Sequence, residues 1–246
     1  MERRRGGLWR HVVGLGLMAL LLIGPESPVG GPPQGRIVFE SRRSGNSDLW
    51  VMNTDGTNPI NLTKHPAEDT DPTPSPDGKK IAFSSDRTGN YDIWVVDADG
   101  SHPVNLMKDS PAEDEDPTAW SPDGTKIAFL SDRSSDTAVW VMNADGTNPV
   151  QITKGPGEKR DPHWLPDGRR LLFTWLRRDH FDIWVVNVDG SHLTNLSKSP
   201  WDEKSATWSP DGRKIGFSSD QDGDTDIWVV NVDGTNLVNL TPDWKS

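Results

Sequence analysis

The chain has no cysteine, a single tyrosine among its 246 residues, and a hydrophobic fraction of only 33%. Without cysteine there is no disulfide framework, no thiolate zinc site, no thiol nucleophile and no anchoring through a lipidated N-terminal cysteine. So few apolar residues exclude thick helical layers. Excess positive charge is lacking too. The formal net charge is −11, and four of the arginines (Arg3, Arg4, Arg5 and Arg10) fall within the first ten residues. A surface of that sign repels nucleic-acid phosphates and anionic lipid headgroups, so nucleic acid is not an expected partner and a neutral or basic one is.

A long apolar run is also missing. The best, Val12 to Ile23, is 12 residues, short of the roughly 20 that cross a bilayer as a helix. It follows the arginine cluster, which is the order of a secretory signal. No small-x-small cleavage site follows, because the next residues are Gly24-Pro25-Glu26-Ser27-Pro28. Residues 1–35 are therefore read as a signal peptide or an uncleaved signal anchor plus a linker, and residues 36–246 as the folded domain. That predicts a periplasmic or secreted protein, touching a membrane only through the N-terminal segment if it is uncleaved.

What the sequence does contain is 12 tryptophans, 23 glycines and 20 prolines, and the tryptophans are periodic. Trp50, Trp94, Trp140, Trp184 and Trp228 are spaced by 44, 46, 44 and 44 residues, each inside a phrase such as Asp92-Ile-Trp-Val-Val-Asp. An aliphatic residue (Ile37, Ile81, Ile127, Leu171, Ile215) stands 13 residues before each, a glycine (Gly56, Gly100, Gly146, Gly190, Gly234) six after, and Leu or Ile (Leu62, Leu106, Ile152, Leu196, Leu240) 12 after. All length variation falls outside this frame.

Each phrase reads as a short strand bounded by turn signals. Ile81-Ala-Phe-Ser-Ser, Ile93-Trp-Val-Val and Val104-Asn-Leu-Met are three of them. A fourth precedes them, as in Asp161-Pro-His-Trp164, and ends in a Pro-Asp-Gly turn whose proline presets φ. Asp97-Ala-Asp-Gly100 closes the hairpin between the second and third, where glycine supplies a positive φ. Four short antiparallel strands in about 44 residues make one propeller blade. The predicted fold is all-β, a β-propeller of five four-stranded blades. The first blade is incomplete or degenerate, since its innermost strand would fall at Glu26 to Gly30, where Pro28 and Pro32 match Pro72 and Pro76.

Ser121-Pro-Asp-Gly-Thr-Lys-Ile-Ala-Phe, then Ser131-Asp-Arg, then Val139-Trp-Val-Met-Asn-Ala-Asp-Gly-Thr-Asn-Pro resembles the TolB-type, WD-like propeller repeat. The resemblance covers residues 36 to 241. It implies a non-catalytic scaffold that docks a protein or peptide. The TolB pattern has six blades behind an α/β domain, whereas five copies stand here, so a complete TolB is not expected. The alternatives are a propeller-type carbohydrate lyase or hydrolase, or a truncated six-bladed paralogue.

No catalytic residue, cofactor site or metal ligand is assigned from the sequence. There is no Gly-x-Ser-x-Gly elbow, and the six histidines show no i, i+4 zinc pairing. His102 and His192 share one turn position, and His163 lies beside Trp164 on a strand that could face the channel. Asp220, Asp222, Asp224 and Asp226 alternate but lack the glycine and glutamate of a helix-loop-helix calcium loop, and read as a solvated hairpin tip. The recurring Asp48, Asp92, Asp182 and Asp226 read as turn carboxylates accepting backbone N–H bonds. The candidate binding residues are acids in the links between blades, outside the strand register. Glu68, Asp69, Asp71, Glu113, Asp114, Glu115, Asp116, Glu158 and Asp161 would gather at one channel mouth as a partial ring, suited to a basic protein or peptide.

Overall fold

The computed structural model describes residues 20–22, 35–108, 110, 115–134, 136–221 and 223–242. They form five four-stranded antiparallel sheets. The first strands are β1 (Leu20–Leu22), β5 (Asp69–Pro74), β9 (Glu115–Trp120), β13 (Lys159–Trp164) and β17 (Glu203–Trp208). The second are β2 (Arg36–Ser41), β6 (Lys80–Ser85), β10 (Lys126–Ser131), β14 (Arg170–Arg177) and β18 (Lys214–Ser219). The third, carrying the periodic tryptophans, are β3 (Asp48–Asn53), β7 (Asp92–Asp97), β11 (Ala138–Asn143), β15 (His180–Asn187) and β19 (Asp226–Asn231). The outermost are two residues each: β4 (Ile60–Asn61), β8 (Val104–Asn105), β12 (Val150–Gln151), β16 (Thr194–Asn195) and β20 (Val238–Asn239). The outer strands are thus shorter than the phrase Val104-Asn-Leu-Met suggests, because Leu106 already turns away, its N–H donating to Ile93 O at 2.9 Å.

The first strands lie side by side around an axis, β1 against β5, β5 against β9, β9 against β13 and β13 against β17. Indole N–H groups stitch some of them together: Trp120 Nε1 donates to Thr73 O at 2.9 Å and Trp164 Nε1 to Ala119 O at 3.2 Å. Four apolar clusters fill the four joints between consecutive blades. The joint between the third and fourth blades shows the rule, with Ala128, Val139, Val141 and Ile152 of one packing on Leu171, Phe173 and Val186 of the next. The same register positions recur in the other three joints. Each blade therefore has two different faces, and every joint mates the leaving face of one blade with the entering face of the next. Among the described residues no strand of the fifth sheet lies against a strand of the first.

The first blade departs from the expectation. Its innermost strand is β1, in register Leu20↔Val38, Leu21↔Ile37 and Leu22↔Arg36, while Glu26 to Gly30 lie outside the described residues. The strand comes from the apolar run read as an export signal. The first sheet consequently has four strands, like the others.

The carboxylates before the tryptophans bond to side chains rather than to the backbone. Asp92 accepts from Asn105 Nδ2 at 2.7 Å and Thr88 Oγ1 at 2.6 Å, and Asp226 from Asn239 Nδ2 at 2.9 Å and Thr241 Oγ1 at 2.8 Å. Threonine 13 residues after the tryptophan then accepts a strand N–H, as Thr241 Oγ1 does from Ile227 at 2.9 Å. Buried at 1 to 5% exposure, these aspartates clamp the two-residue outer strand to its neighbour in four of the five blades; the third has Ala138 in that place. His102 and His192, at φ 52° and 53°, share the left-handed turn position of Asn58, Asn148 and Asn236, as the sequence suggests.

The glycines six residues after the tryptophans touch the preceding blade from the second blade onward, Gly100, Gly146, Gly190 and Gly234 facing Leu62, Leu106, Ile152 and Leu196. A Cβ on Gly146 (φ +85°) would lie 2.8 Å from Leu106 O, whereas one on Gly89 (φ +101°) would meet open space. Both positions strain an L-residue by about 1–2 kcal/mol, but only the first adds a clash across a joint. Gly146→Ala should therefore lower the thermal midpoint clearly more than Gly89→Ala; equal losses would mean that the joint does not press on the hairpin.

Candidate functional site

The predicted acidic mouth is at the start of the first strands. Asp69, Lys159 and Glu203 occupy the same place there, each 25 residues before its tryptophan, and they are 0%, 1% and 1% exposed. Two residues on, Asp71, Asp161 and Ser205 are exposed and take left-handed φ of 54°, 50° and 54°. Strict alternation would put residues i and i+2 on one face. A bulge between Thr70 and Thr73, Arg160 and His163, and Lys204 and Thr207 breaks that alternation, so the first residue turns inward and the third outward. Aspartate and serine are short enough for it.

This corrects the sequence reading. Asp69, Asp71 and Glu115 lie within first strands rather than in links, Asp116 and Asp161 lie in the strands that the sequence already opens on them, and Asp69 is interior. Asp69 accepts from Arg87 Nη2 at 2.7 Å and Nε at 3.3 Å. Arg87 in turn lies over Phe83 and Trp94, 5.3 and 5.0 Å from the ring centroids. Glu68 pairs with Arg42 at 3.1 Å and accepts the Ser47 N–H, and Glu158 pairs with Arg160 at 2.6 Å. Glu113 and Asp114 lie outside the described residues. The mouth is thus a band of ion pairs from which Asp71 and Asp161 project.

The arginine partners are what the sequence reading missed. An arginine stands seven residues before each of the first four tryptophans, as Arg43, Arg87, Arg133 and Arg177. Each lies over that tryptophan's ring, at 4.8, 5.0, 4.9 and 5.8 Å, a contact worth about 0.5–2 kcal/mol. Aligning the copies on tryptophan would have found them. It would also have found one exception to the arginine, in the fifth blade, and a lysine in place of the interior acid in the fourth.

In the fourth blade Lys159 replaces the interior acid. Its Nζ donates to Gly157 O at 2.7 Å and also to Gly155 O, and lies 4.6 Å from the Trp175 ring, whose own Nε1 donates to Pro156 O at 3.0 Å. Burial lowers the Lys159 pKa, against the charge of Asp136. In the fifth blade the acid remains as Glu203, but Gln221 stands where the arginine should be. Ser199 Oγ donates to Glu203 Oε1, and Oε2 is enclosed with no hydrogen bond drawn to it among the described residues. Burial pushes the carboxyl up to about 7, and the neighbouring Asp182 pushes the same way. His163, half-buried on β13, is held below the ordinary histidine value by burial.

Glu203 makes stability depend on pH with a definite sign. From its ordinary value near 4.5 up to about 7, the folded chain keeps a proton that the unfolded chain has lost, so this contribution to stability falls as pH rises. Below that window both forms are protonated and the effect vanishes. The midpoint of Glu203→Gln should match the parent's near pH 4.5 and exceed it increasingly up to about pH 7.5. A difference that stays flat across the range would show an ionised, paired Glu203.

Comparison with known proteins agrees with this architecture. Two overlapping segments, residues 25–107 and 91–244, match the family described as the TolB beta propeller domain. A putative TolB from Agrobacterium tumefaciens is 25% identical with a TM-score of 0.68, over 84% of this chain and 76% of that one. TolB from Acinetobacter baumannii is 21% identical with a TM-score of 0.69, over 84% of this chain and 53% of that one. Oligogalacturonate lyase from Vibrio parahaemolyticus shares the fold at 16% identity and a TM-score of 0.65, over 83% of this chain and 61% of that one. The chain thus spans about three quarters of one TolB structure and about half of the other. Among curated proteins none matches it. With the family match running over most of its length, this chain belongs to the TolB β-propeller domain family.

Proposed function

We propose that this chain is an exported, non-catalytic scaffold that docks a basic protein or peptide at the mouth of its propeller. The observation that carries the reading is the pair Asp71 and Asp161. The bulges turn both carboxylates outward at equivalent places in two blades, while their neighbours Glu68 and Glu158 keep arginines beside them. The arginines neutralise part of the band, so recognition rests on a few projecting charges within a negative chain rather than on a continuous acidic ring. Such an arrangement steers association and is weakened by salt over a length of about 8–10 Å. Family membership supports a protein-binding role, and the arginine-rich start followed by an apolar run supports export.

Two measurements test it. A lysine- and arginine-rich decapeptide should associate more slowly with the Asp71→Asn, Asp161→Asn double variant than with the parent, and the gap should close at high salt. Because both side chains are exposed, the thermal midpoint should hold. Equal association at low salt would remove the mouth as the binding surface. Separately, residues 1–35 fused ahead of alkaline phosphatase should give an active reporter in a Gram-negative host, and an intact but inactive fusion would rule out export by this segment.

A further inference from the structure

The face that the fifth blade turns away from the fourth is apolar and uncovered. Ile227 is 51% exposed and Leu240 56%, whereas their counterparts Ile183 and Leu196 in the fourth blade are 0% and 8%. Val229, between them on the same face, is half-buried, against 6% for Val185. The exposure of β20 is a different matter, since Val238 at 50% matches Ile60, Val104 and Val150 on the outer strands of other blades. Only the positions that elsewhere fill a joint have changed.

The first blade shows the converse deficit. Ile37 and Met52 are half-buried, while the residues in the same places of later blades, Ile81 and Val96 or Ile127 and Met142, are 0 to 1% exposed. The hairpin glycines report the same gap. A Cβ on Gly100 or Gly146 would meet the carbonyl of Leu62 or Leu106 in the preceding blade at 2.7 or 2.8 Å, but one on Gly56 meets nothing within 4 Å.

Ile227, Val229 and Leu240 are therefore one half of a joint, and Ile37, Met52 and Gly56 the other half. They hold the register positions that mate in all four internal joints. Within one chain the two halves do not meet, because no strand of the fifth sheet lies against the first among the described residues. We propose that the free face of the fifth blade is a docking surface for the first blade of a second copy of this chain, so that copies join head to tail. The joint is heterologous, with two different faces in contact, and continues the interface already repeated along each chain.

Heterologous pairing has a signature that separates it from other occupants. The parent should self-associate with rising concentration in sedimentation velocity, while Ile227→Asp and Met52→Asp should each be monomeric. An equimolar mixture of the two should form dimers and nothing larger, since one intact joint remains between an unaltered fifth blade and an unaltered first blade. Failure of the mixture to dimerise would overturn the proposal, dimers of Met52→Asp alone would overturn it in favour of a fifth-on-fifth contact, and a monomeric parent would overturn it outright. Should an aspartate variant misfold, the absence of native cysteine offers a second route. Mixed single variants Ile227→Cys and Met52→Cys should be linked into a dimer by a short bismaleimide. A chain carrying both that links only within itself would show that the ring closes alone, which also overturns the proposal.

Discussion

The joint between neighbouring blades is the interaction on which the rest of this molecule depends. A single four-stranded sheet of this length buries too little to be stable alone, and stacking two unlike apolar faces is what removes its side chains from water. Val139, Val141 and Ile152 on one side and Leu171, Phe173 and Val186 on the other are the pattern. Glycine at the hairpin lets the next blade approach, and the buried aspartate clamp keeps a two-residue outer strand attached to the face that must pack.

That constraint also organises the charge. Seating a carboxylate inside the mouth requires a cation in low dielectric, and Arg87 supplies it to Asp69 while covering the rings beneath. Where the arginine is lost, as at Gln221, the acid adapts by holding its proton. Where the acid is lost, as at Lys159, the ammonium takes backbone carbonyls and an aromatic face instead. The asymmetry of the mouth comes from these two exchanges, and both sit in the last two blades. Among the described residues of the mouth, negative charge facing solvent is consequently confined to fewer groups than the count of acids there suggests.

The comparisons bear on fold more than on action. Relatives of the same architecture include chains titled TolB and a chain titled oligogalacturonate lyase, so the blades are a platform whose use is set by what stands at the mouth and on the exposed faces.

The repeat alone was enough to establish five blades, the strand that carries each tryptophan and the turns that bound it. These follow from local periodicity and from proline and glycine, which act within a few residues. The sequence also held the arginine at a constant distance before four tryptophans, legible once the copies are aligned. Tertiary structure alone decided the rest. A bulge inverts which of Asp69 and Asp71 faces water, and no alternation rule contains it. Burial, not composition, raises Glu203. The innermost strand of the first blade is drawn from Leu20–Leu22 because any segment able to complete the ladder competes for that edge. Whether the first and last blades meet depends on the small angle between successive sheets accumulated over the whole arc, a sum of packing geometries that no single stretch of chain encodes.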